Sequence, residues 1–340
     1  MSNEKEKKIE KTVKELEELG IKVVKLKDDK YGEYDVISTG SITLNIATGI
    51  NGYPRGRIIE IFGPESGGKT TLSLIAIAQA QKAGGIAAFI DAEHSLNKKW
   101  AQKLGVNTDE LYFYQPDYGE QALNVLEKLL LTKSFDIIVI DSVTALVPKA
   151  ELEGNMEDAN VGLHARLMSK AMRKLTGIAS KSKTVVIFVN QIREKIGQMW
   201  GNPEITTGGR ALKFYSSMRI RVQKVSKSSI TDKNGNIIGH IVHAEVVKNK
   251  CACPYREAEF LLNFNTGIDN DSEIFDAALS KEIIKLNGKT YTFKKWQFIG
   301  KEKMKNAIKD INELKEELIK SLEFEAELKQ KENRKEEDIL

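Results

Sequence analysis

Cysteine is nearly absent from this chain, with two residues in 340. That excludes a disulfide scaffold and fits a reducing compartment. No stretch approaches the roughly 18–20 continuous apolar residues of a membrane span. The opening segment, MSNEKEKKIEKTVKELEELG, has no apolar region of the signal-peptide kind, so secretion is not expected. Net charge is also small, +4 from 52 basic and 48 acidic residues. That total does not by itself announce a nucleic-acid partner. What is present is an ordinary globular balance, 41 % hydrophobic and 29 % charged, in a chain long enough for one large core with small appendages.

Residues 3–20 read as one amphipathic helix, with Ile9, Val13, Leu16 and Leu19 on one face, Asn3 as its cap and Gly20 as its stop. A stripe of three turns must dock on something, either its own core or a neighbouring subunit. Residues 21–27, IKVVKLK, suggest a short strand. The middle of the chain alternates strands (Arg57–Phe62, Ile86–Asp91, Asp136–Asp141, Thr184–Asn190) with helices (Thr70–Ala83, Gly119–Leu131, Leu163–Ser180). Three of those strands are continuous apolar runs ending in a polar residue, as in a parallel sheet covered by helices. Met218–Val225 and Ile237–Val247 then suggest an antiparallel edge joined through the Asn-Gly turn of DKNGN, residues 232–236. From about residue 270 a small mixed region follows. Residues 326–340 carry little apolar content and are expected to fray. The division expected is an arm at 1–33, an α/β core at 34–268, a small α+β domain at 269–325 and a charged tail at 326–340.

Gly63-Pro64-Glu65-Ser66-Gly67-Gly68-Lys69-Thr70 matches the phosphate-loop pattern GxxxxGK[ST], with an apolar strand before it and a helix after it. Backbone N–H groups in such a loop curl round a phosphate, and the helix N-terminus adds partial positive charge. Lys69 reaches the terminal phosphates, Thr70 offers its hydroxyl to Mg²⁺, and Thr71 counts with them as nucleotide-binding. Asp141, at the end of DIIVID, is either the second magnesium-shell carboxylate or a cap for the next turn. Glu93 lies just beyond the strand AAFID and is either a general base for ATP hydrolysis or a solvated loop acid. Gln191, at the same expected sheet edge, suits a sensor of the γ-phosphate. His94 reads as a loop histidine, and Cys251 and Cys253 as small apolar fillers without a second ligand pair for zinc. Lys248 and Lys250, in VVKNK, read from spacing alone as solvated lysines.

The small net charge conceals two basic segments. Residues 164–183 hold Arg166, Lys170, Arg173, Lys174, Lys181 and Lys183 and no acid. Residues 193–224 hold seven bases, Arg193 and Arg210 among them, against two acids. Together they carry +11, leaving −7 for the rest of the chain. The Gly-rich stretch 196–210 between Arg193 and Arg210 suits a phosphodiester backbone, and its Ile196, Met199 and Trp200 are placed to insert beside or stack on bases.

Longer blocks go beyond a generic phosphate-loop ATPase. ISTGSITLNIATGINGYPRGRIIEIFGPESGGKTTL, AAFIDAEHSLN, QPDYGEQAL, VIDSVTALVPKAELEG, LMSKAMRKL, FVNQIREKIGQMWGNPEITTGGRALKFY and VVKNK occur in order from about residue 36 to 267. In this the chain resembles the RecA-type bacterial and phage homologous recombinases. The resemblance implies a RecA-like ATPase core, mostly parallel with an antiparallel edge, and a helical filament on single-stranded DNA that pairs it with homologous duplex. It implies ATP and Mg²⁺ as cofactors, a cytoplasmic, nucleoid-associated location, no membrane partner, and a place in recombinational repair and the SOS response. A LexA-like repressor and filament-loading proteins are implied partners.

By the same resemblance, Glu93 is the catalytic glutamate, Gln191 couples the γ-phosphate to a DNA-binding loop, and Lys248 and Lys250 reach ATP from the neighbouring subunit. Phe214 matches a subunit-interface position and Trp100 an aromatic position near the adenine. Residues 154–162 and 193–210 match two DNA-binding loops. Val161, Gly162, Arg166, Ser169, Arg173, Arg193, Ile196, Met199, Trp200, Gly208, Gly209 and Arg210 are the DNA-binding candidates. Departures from the family pattern include Val161 in place of Met, Arg210 in place of Asn, Asn97 in place of Asp, and a less acidic tail. Two other readings stand beside this one: a RecA-like hexameric DNA motor and an ATP-dependent regulatory scaffold. The RadA branch usually carries an N-terminal zinc module whose cysteines this chain lacks.

Overall fold

The computed structural model describes residues 2–21, 23, 25, 33–155, 162–194, 204–232 and 234–337. The chain divides into two compact units, Met1–Asp35 and Val36–Leu340. Among the described residues no helix is long and apolar enough to cross a membrane.

Among its described residues the first unit has a single helix, Ser2–Glu18, closed by the turn at Leu19 and Gly20. It begins before Asn3, which therefore lies inside the helix and does not cap it. Ile21, Val23 and Lys25 are not in a strand, a correction to the expected strand at 21–27. A strand needs a hydrogen-bonded neighbour, and Ile21 and Val23 stand exposed.

The second unit is built on one large sheet. Ile58–Gly63 lies at its centre, parallel to Val185–Glu194 on one side and to Met218–Lys224 on the other. Beyond Val185–Glu194 come Ile137–Asp141, Ala87–Asp91 and Tyr112–Tyr114, all parallel. Beyond Met218–Lys224 come Ile237–Asn249, Arg256–Asn263 and Gly267–Ile268, all antiparallel. This is the mostly parallel sheet with an antiparallel edge that the sequence predicts. The apolar runs are continuous because both faces are covered. Alternate residues enter two cores: Ile59, Ile61, Phe89 and Val139 pack with the helix Lys69–Lys82. Ile58, Ile90, Ile138 and Phe188 pack with the helices Gly119–Thr132 and Leu163–Ser182.

The Asn-Gly turn does not join the two long antiparallel strands directly. It links the short strand Ile230–Thr231 to Ile237–Asn249, and the Asp232 carboxylate accepts from the N–H groups of Asn234 and Asn236 within it. The C-terminal region has its own core of Phe275, Met304, Leu314 and Leu318, which also takes in Ile46 of the helix Ile42–Thr48. Its three-stranded antiparallel sheet is Lys285–Asn287, Thr290–Phe293 and Trp296–Ile299. The last helix, Asn312–Glu337, runs through the segment expected to fray. The helix is anchored by Leu314, Leu318 and Leu322 in that core, and its Glu- and Lys-rich continuation, low in apolar content but high in helix propensity, extends it to Glu337.

Candidate nucleotide and nucleic-acid site

Parallel strands end on one edge of the sheet, and register sets which ends meet. Gly63 is paired with Gln191, and Asp91 with Asp141. The central strand thus delivers its chain directly into the loop 64–68 and the helix Lys69–Lys82. Gly63 passes so close to the next strand that a Cβ there would lie 1.9 Å from the Val222 carbonyl oxygen. Gly68 turns the chain into the helix at φ +95°, a conformation costly for any other residue. No side chain caps this helix, so its first-turn N–H groups are available to an anion.

Lys69 is only 8 % exposed, and its ammonium donates to the Pro64 carbonyl at 2.6 Å. Burial pulls its pKa down, while the nearby carboxylates of Asp141, Glu93 and Glu65 oppose that. The Thr70 hydroxyl donates to Asp141 Oδ2 at 2.5 Å. Burial raises the Asp141 carboxyl to about 6; the Thr70 hydroxyl holds it down, and the charges of Glu93 and Asp91 push it further up. A hydroxyl and a buried carboxylate at one point are hard oxygen donors of the kind magnesium takes. Among the described residues no group of three or more His, Cys, Asp or Glu forms a protein-only metal cage.

Glu93 follows directly. Its own N–H and that of Ala92 donate to the Asp141 carbonyl at 3.1 and 2.7 Å, pinning the turn to the neighbouring strand. Glu93 Oε1 accepts from the Ser142 hydroxyl and from Gln191 Nε2, the latter at 3.0 Å. The expected base and the expected γ-phosphate sensor are therefore in contact. Asp91, buried beneath them, accepts from the N–H groups of Ser95 and Leu96 and from Gln115 Nε2. Ser142 and Asp91 escaped the sequence reading. Their signal was there, since each stands beside or at the polar end of an apolar strand.

Lys248, Lys250 and Phe214 also come together. The Lys248 ammonium donates to the carbonyls of Lys213 and Phe214 at 2.6 and 2.9 Å, and Lys250 donates to Phe214 at 3.2 Å. The two lysines satisfy the C-terminal carbonyls of the short helix Ala211–Tyr215, while the Phe214 ring is 63 % exposed. Burial, then the charges of Lys250 and Arg219, bring Lys248 down to about 8. A freely solvated Lys248 is thus ruled out.

Of the nucleic-acid candidates, Gly162 precedes the helix Leu163–Ser182, which carries Arg166, Ser169 and Arg173. Arg173 Nε donates to the Ser169 carbonyl at 3.2 Å. Lys174, of the same basic segment, is paired with Glu127 at 2.7 Å. Gly208 lies against Val143 and Met168, and Gly209 against Ala165, so the end of the second segment meets the start of the helix Leu163–Ser182. Arg193 sits in the strand pairing with Glu204–Thr206, and Arg210 opens the short helix Ala211–Tyr215. Val161, Ile196, Met199 and Trp200 lie outside the described residues. Trp100 packs against the first core and receives no described contact from the phosphate loop, and Asn97 caps its short helix.

A phosphate loop with a facing acid pair, at the carboxyl edge of a parallel sheet, defines a nucleotide-hydrolysing P-loop protein. The family model of the RecA N-terminal domain matches residues 7–269, and the chain belongs to that family. A RecA protein of Bacteroides thetaiotaomicron is 53 % identical over 329 residues, covering 96 % of this chain and 98 % of the relative. One from Porphyromonas gingivalis is 54 % identical over 292 residues, 85 % of each chain. A crystal structure of the RadB recombinase shares the fold, with a TM-score of 0.52 at 22 % identity over 68 % of this chain and 98 % of that one. The chain is an ATP-dependent DNA recombinase, and the reaction it catalyses is DNA-dependent ATP hydrolysis.

Proposed function

We propose that ATP binds on the loop 63–68 and that its hydrolysis is run by Glu93 under the control of Gln191. The contact between those two side chains carries this reading. Gly63, Glu65, Ser66, Gly67 and Gly68 present backbone N–H donors to the phosphates, and Pro64, which has no N–H, shapes the loop between them. Lys69 leaves the Pro64 carbonyl to pair with the terminal phosphates, and Thr70 and Asp141 hold Mg²⁺, with Thr71 beside them. When bound, the ion neutralises phosphate charge.

Glu93 Oε1 is committed to Ser142 and Gln191, which leaves Oε2 for the attacking water. A γ-phosphate that draws the Gln191 amide to itself loosens Glu93 and moves the strand end at the base of the second loop. Lys248 and Lys250 turn from their own chain's carbonyls toward the ATP of the adjacent subunit and supply positive charge there. Phe214 packs across the same junction, and Trp100 faces the adenine once the filament forms.

Single-stranded DNA lies along Val161, Gly162, Arg166, Ser169, Arg173, Arg193, Ile196, Met199, Trp200, Gly208, Gly209 and Arg210, which hold mainly its phosphates while homologous duplex is tested by base pairing. Residues 1–33 serve as the oligomerisation arm, 34–268 as the core, 269–325 as the C-terminal domain and 326–340 as a charged tail. We place the protein in the cytoplasm on the nucleoid, with a LexA-like repressor and filament loaders as partners and a role in the SOS response.

The test is ATP hydrolysis with and without single-stranded DNA, with Lys69→Ala as control, alongside strand exchange. Stimulation by DNA and a filament in electron microscopy are expected. A closed ring points to the hexameric motor. Repressor cleavage without strand exchange points to the scaffold.

A further inference from the structure

Glu60 interrupts an apolar strand, Ile58–Gly63, and its side chain is 0 % exposed. Its neighbours on the same face of the strand, Ile58 and Phe62, are buried apolar residues, so the acid sits where the strand otherwise places hydrocarbon. Arg219 Nε donates to Glu60 Oε2 at 2.5 Å, and the guanidinium lies 4.4 Å from the centre of the Phe62 ring. Asn190 Nδ2 donates to Glu60 Oε1 at 2.8 Å. One carboxylate therefore joins the strands on both sides of its own.

Each partner reaches a separate part of the site. Arg219 is the cross-strand neighbour of Lys248. Asn190 is continuous with Gln191, whose N–H donates to Asn190 Oδ1 at 2.9 Å. Asn190 Oδ1 also accepts from the Thr207 hydroxyl at 2.5 Å, and Asn190 Nδ2 donates to the Thr207 carbonyl at 3.1 Å. Thr144 then donates to Thr207 at 2.9 Å, one residue from Gly208. The row Lys248–Arg219–Glu60–Asn190–Thr207 crosses the sheet from the lysine strand to the end of the second DNA-binding segment.

A buried ion pair of this kind rarely stabilises a fold better than apolar residues of similar volume. What it supplies is fixed geometry, because each polar atom has one satisfying arrangement. We propose that Glu60 is a positioning residue coupling the two halves of the site, fixing Arg219 beside Lys248 and holding Gln191 and Thr207 through Asn190. The proposal rests on the reading that Lys248 acts on a neighbour's ATP and that residues near 207–210 contact DNA.

The test is a doubly apolar variant, Glu60→Met with Arg219→Met, which leaves no unpaired buried charge. Its thermal midpoint is expected to stay within a few degrees of the parent's, and its ATP hydrolysis without DNA within about twofold. Stimulation of kcat by single-stranded DNA is expected to fall about tenfold or more, with KM for ATP little changed. A merely structural pair does not produce that split. Thr144→Val serves as the second variant, since it removes only the hydroxyl that meets Thr207 at the far end of the row, and about a threefold loss of stimulation is expected. Stimulation at the parent level in either variant overturns the proposal, and so does a Thr144→Val protein whose loss appears equally without DNA. If the parent itself shows no stimulation, the functional reading has failed and not the coupling.

Discussion

Gln191 Nε2 donates to Glu93 Oε1 at 3.0 Å, joining the ends of two strands 98 residues apart in sequence. The same oxygen accepts from Ser142, so the Glu93 carboxylate is held by its neighbours before any substrate arrives. Replacing Glu93 by Gln is expected to cut ATP hydrolysis by about 10²-fold or more, the usual scale for a lost general base. ATP binding by equilibrium titration should stay within about threefold, since Glu93 lies outside the phosphate loop. A variant that hydrolyses ATP normally removes Glu93 from the mechanism.

Lys248 and Glu93 belong, in this reading, to different subunits at each working site. Lys248→Ala and Glu93→Gln should each be nearly inactive alone in DNA-stimulated hydrolysis. Mixed in equal amounts before filament assembly, they should recover about a quarter of parental activity, because one junction in four then pairs an intact Glu93 with an intact Lys248. No recovery in the mixture would place Lys248 in its own chain's site.

Asp141 connects catalysis to stability through its pKa. Burial lifts it to about 6, above its unfolded value of 3.8. A raised carboxyl favours the protonated fold, so the contribution is present at low pH and is lost as pH rises through about 6. At neutral pH the nucleotide-free protein therefore carries a cost of order 3 kcal/mol at this residue. Asp141→Asn keeps an oxygen for the Thr70 hydroxyl and removes that cost. Its thermal midpoint without nucleotide should exceed the parent's at pH 7–8, keep about half of that advantage at pH 5, and converge with it toward pH 4 and below, while ATP hydrolysis is lost. Parallel melting curves across that range would exclude the buried charge as the cause.

Glu273 ties the C-terminal region to the start of the helix Ile42–Thr48. Its carboxylate accepts from the hydroxyls of Ser41 and Thr43 and from the N–H groups of Ile42 and Thr43, the last two at 3.1 and 2.9 Å. Glu273→Ala leaves those buried donors without an acceptor and should cost about 2–3 kcal/mol. Urea unfolding measures this directly, and a loss below about 0.5 kcal/mol would show that water replaces the carboxylate.

Gly63 admits no side chain, because a Cβ would lie 1.9 Å from the Val222 carbonyl oxygen. Gly63→Ala should force the phosphate loop from its neighbouring strand and cost about 3 kcal/mol. Nucleotide affinity and thermal midpoint should fall together. A midpoint unchanged from the parent's would mean that the strand yields without loss.

The phosphate loop, the buried parallel strands and their covering helices were all legible along the chain. Each depends on contiguous residues: an eight-residue loop, an apolar run, a helical period. The tail shows the limit of composition, since a segment expected to fray continues the helix Asn312–Glu337. The short strand at Ile230–Thr231 shows the limit of turn signals, since DKNGN marks a turn without saying which strand precedes it. Spacing also cast Lys248 as a solvated lysine, and only the carbonyls of Lys213 and Phe214 explain where its ammonium goes.

The chain's order of residues was enough to set the chemistry of ATP binding, because backbone donors, Lys69 and Thr70 fall within one turn of each other. Which carboxylate meets which amide was decided by the sheet. Strand order places Ile58–Gly63 between Val185–Glu194 and Met218–Lys224, elements more than a hundred residues downstream. That order brings Gln191 to Glu93, and Asn190 and Arg219 to Glu60. No local pattern encodes those meetings, since they follow from crossover connections and register, which are tertiary choices.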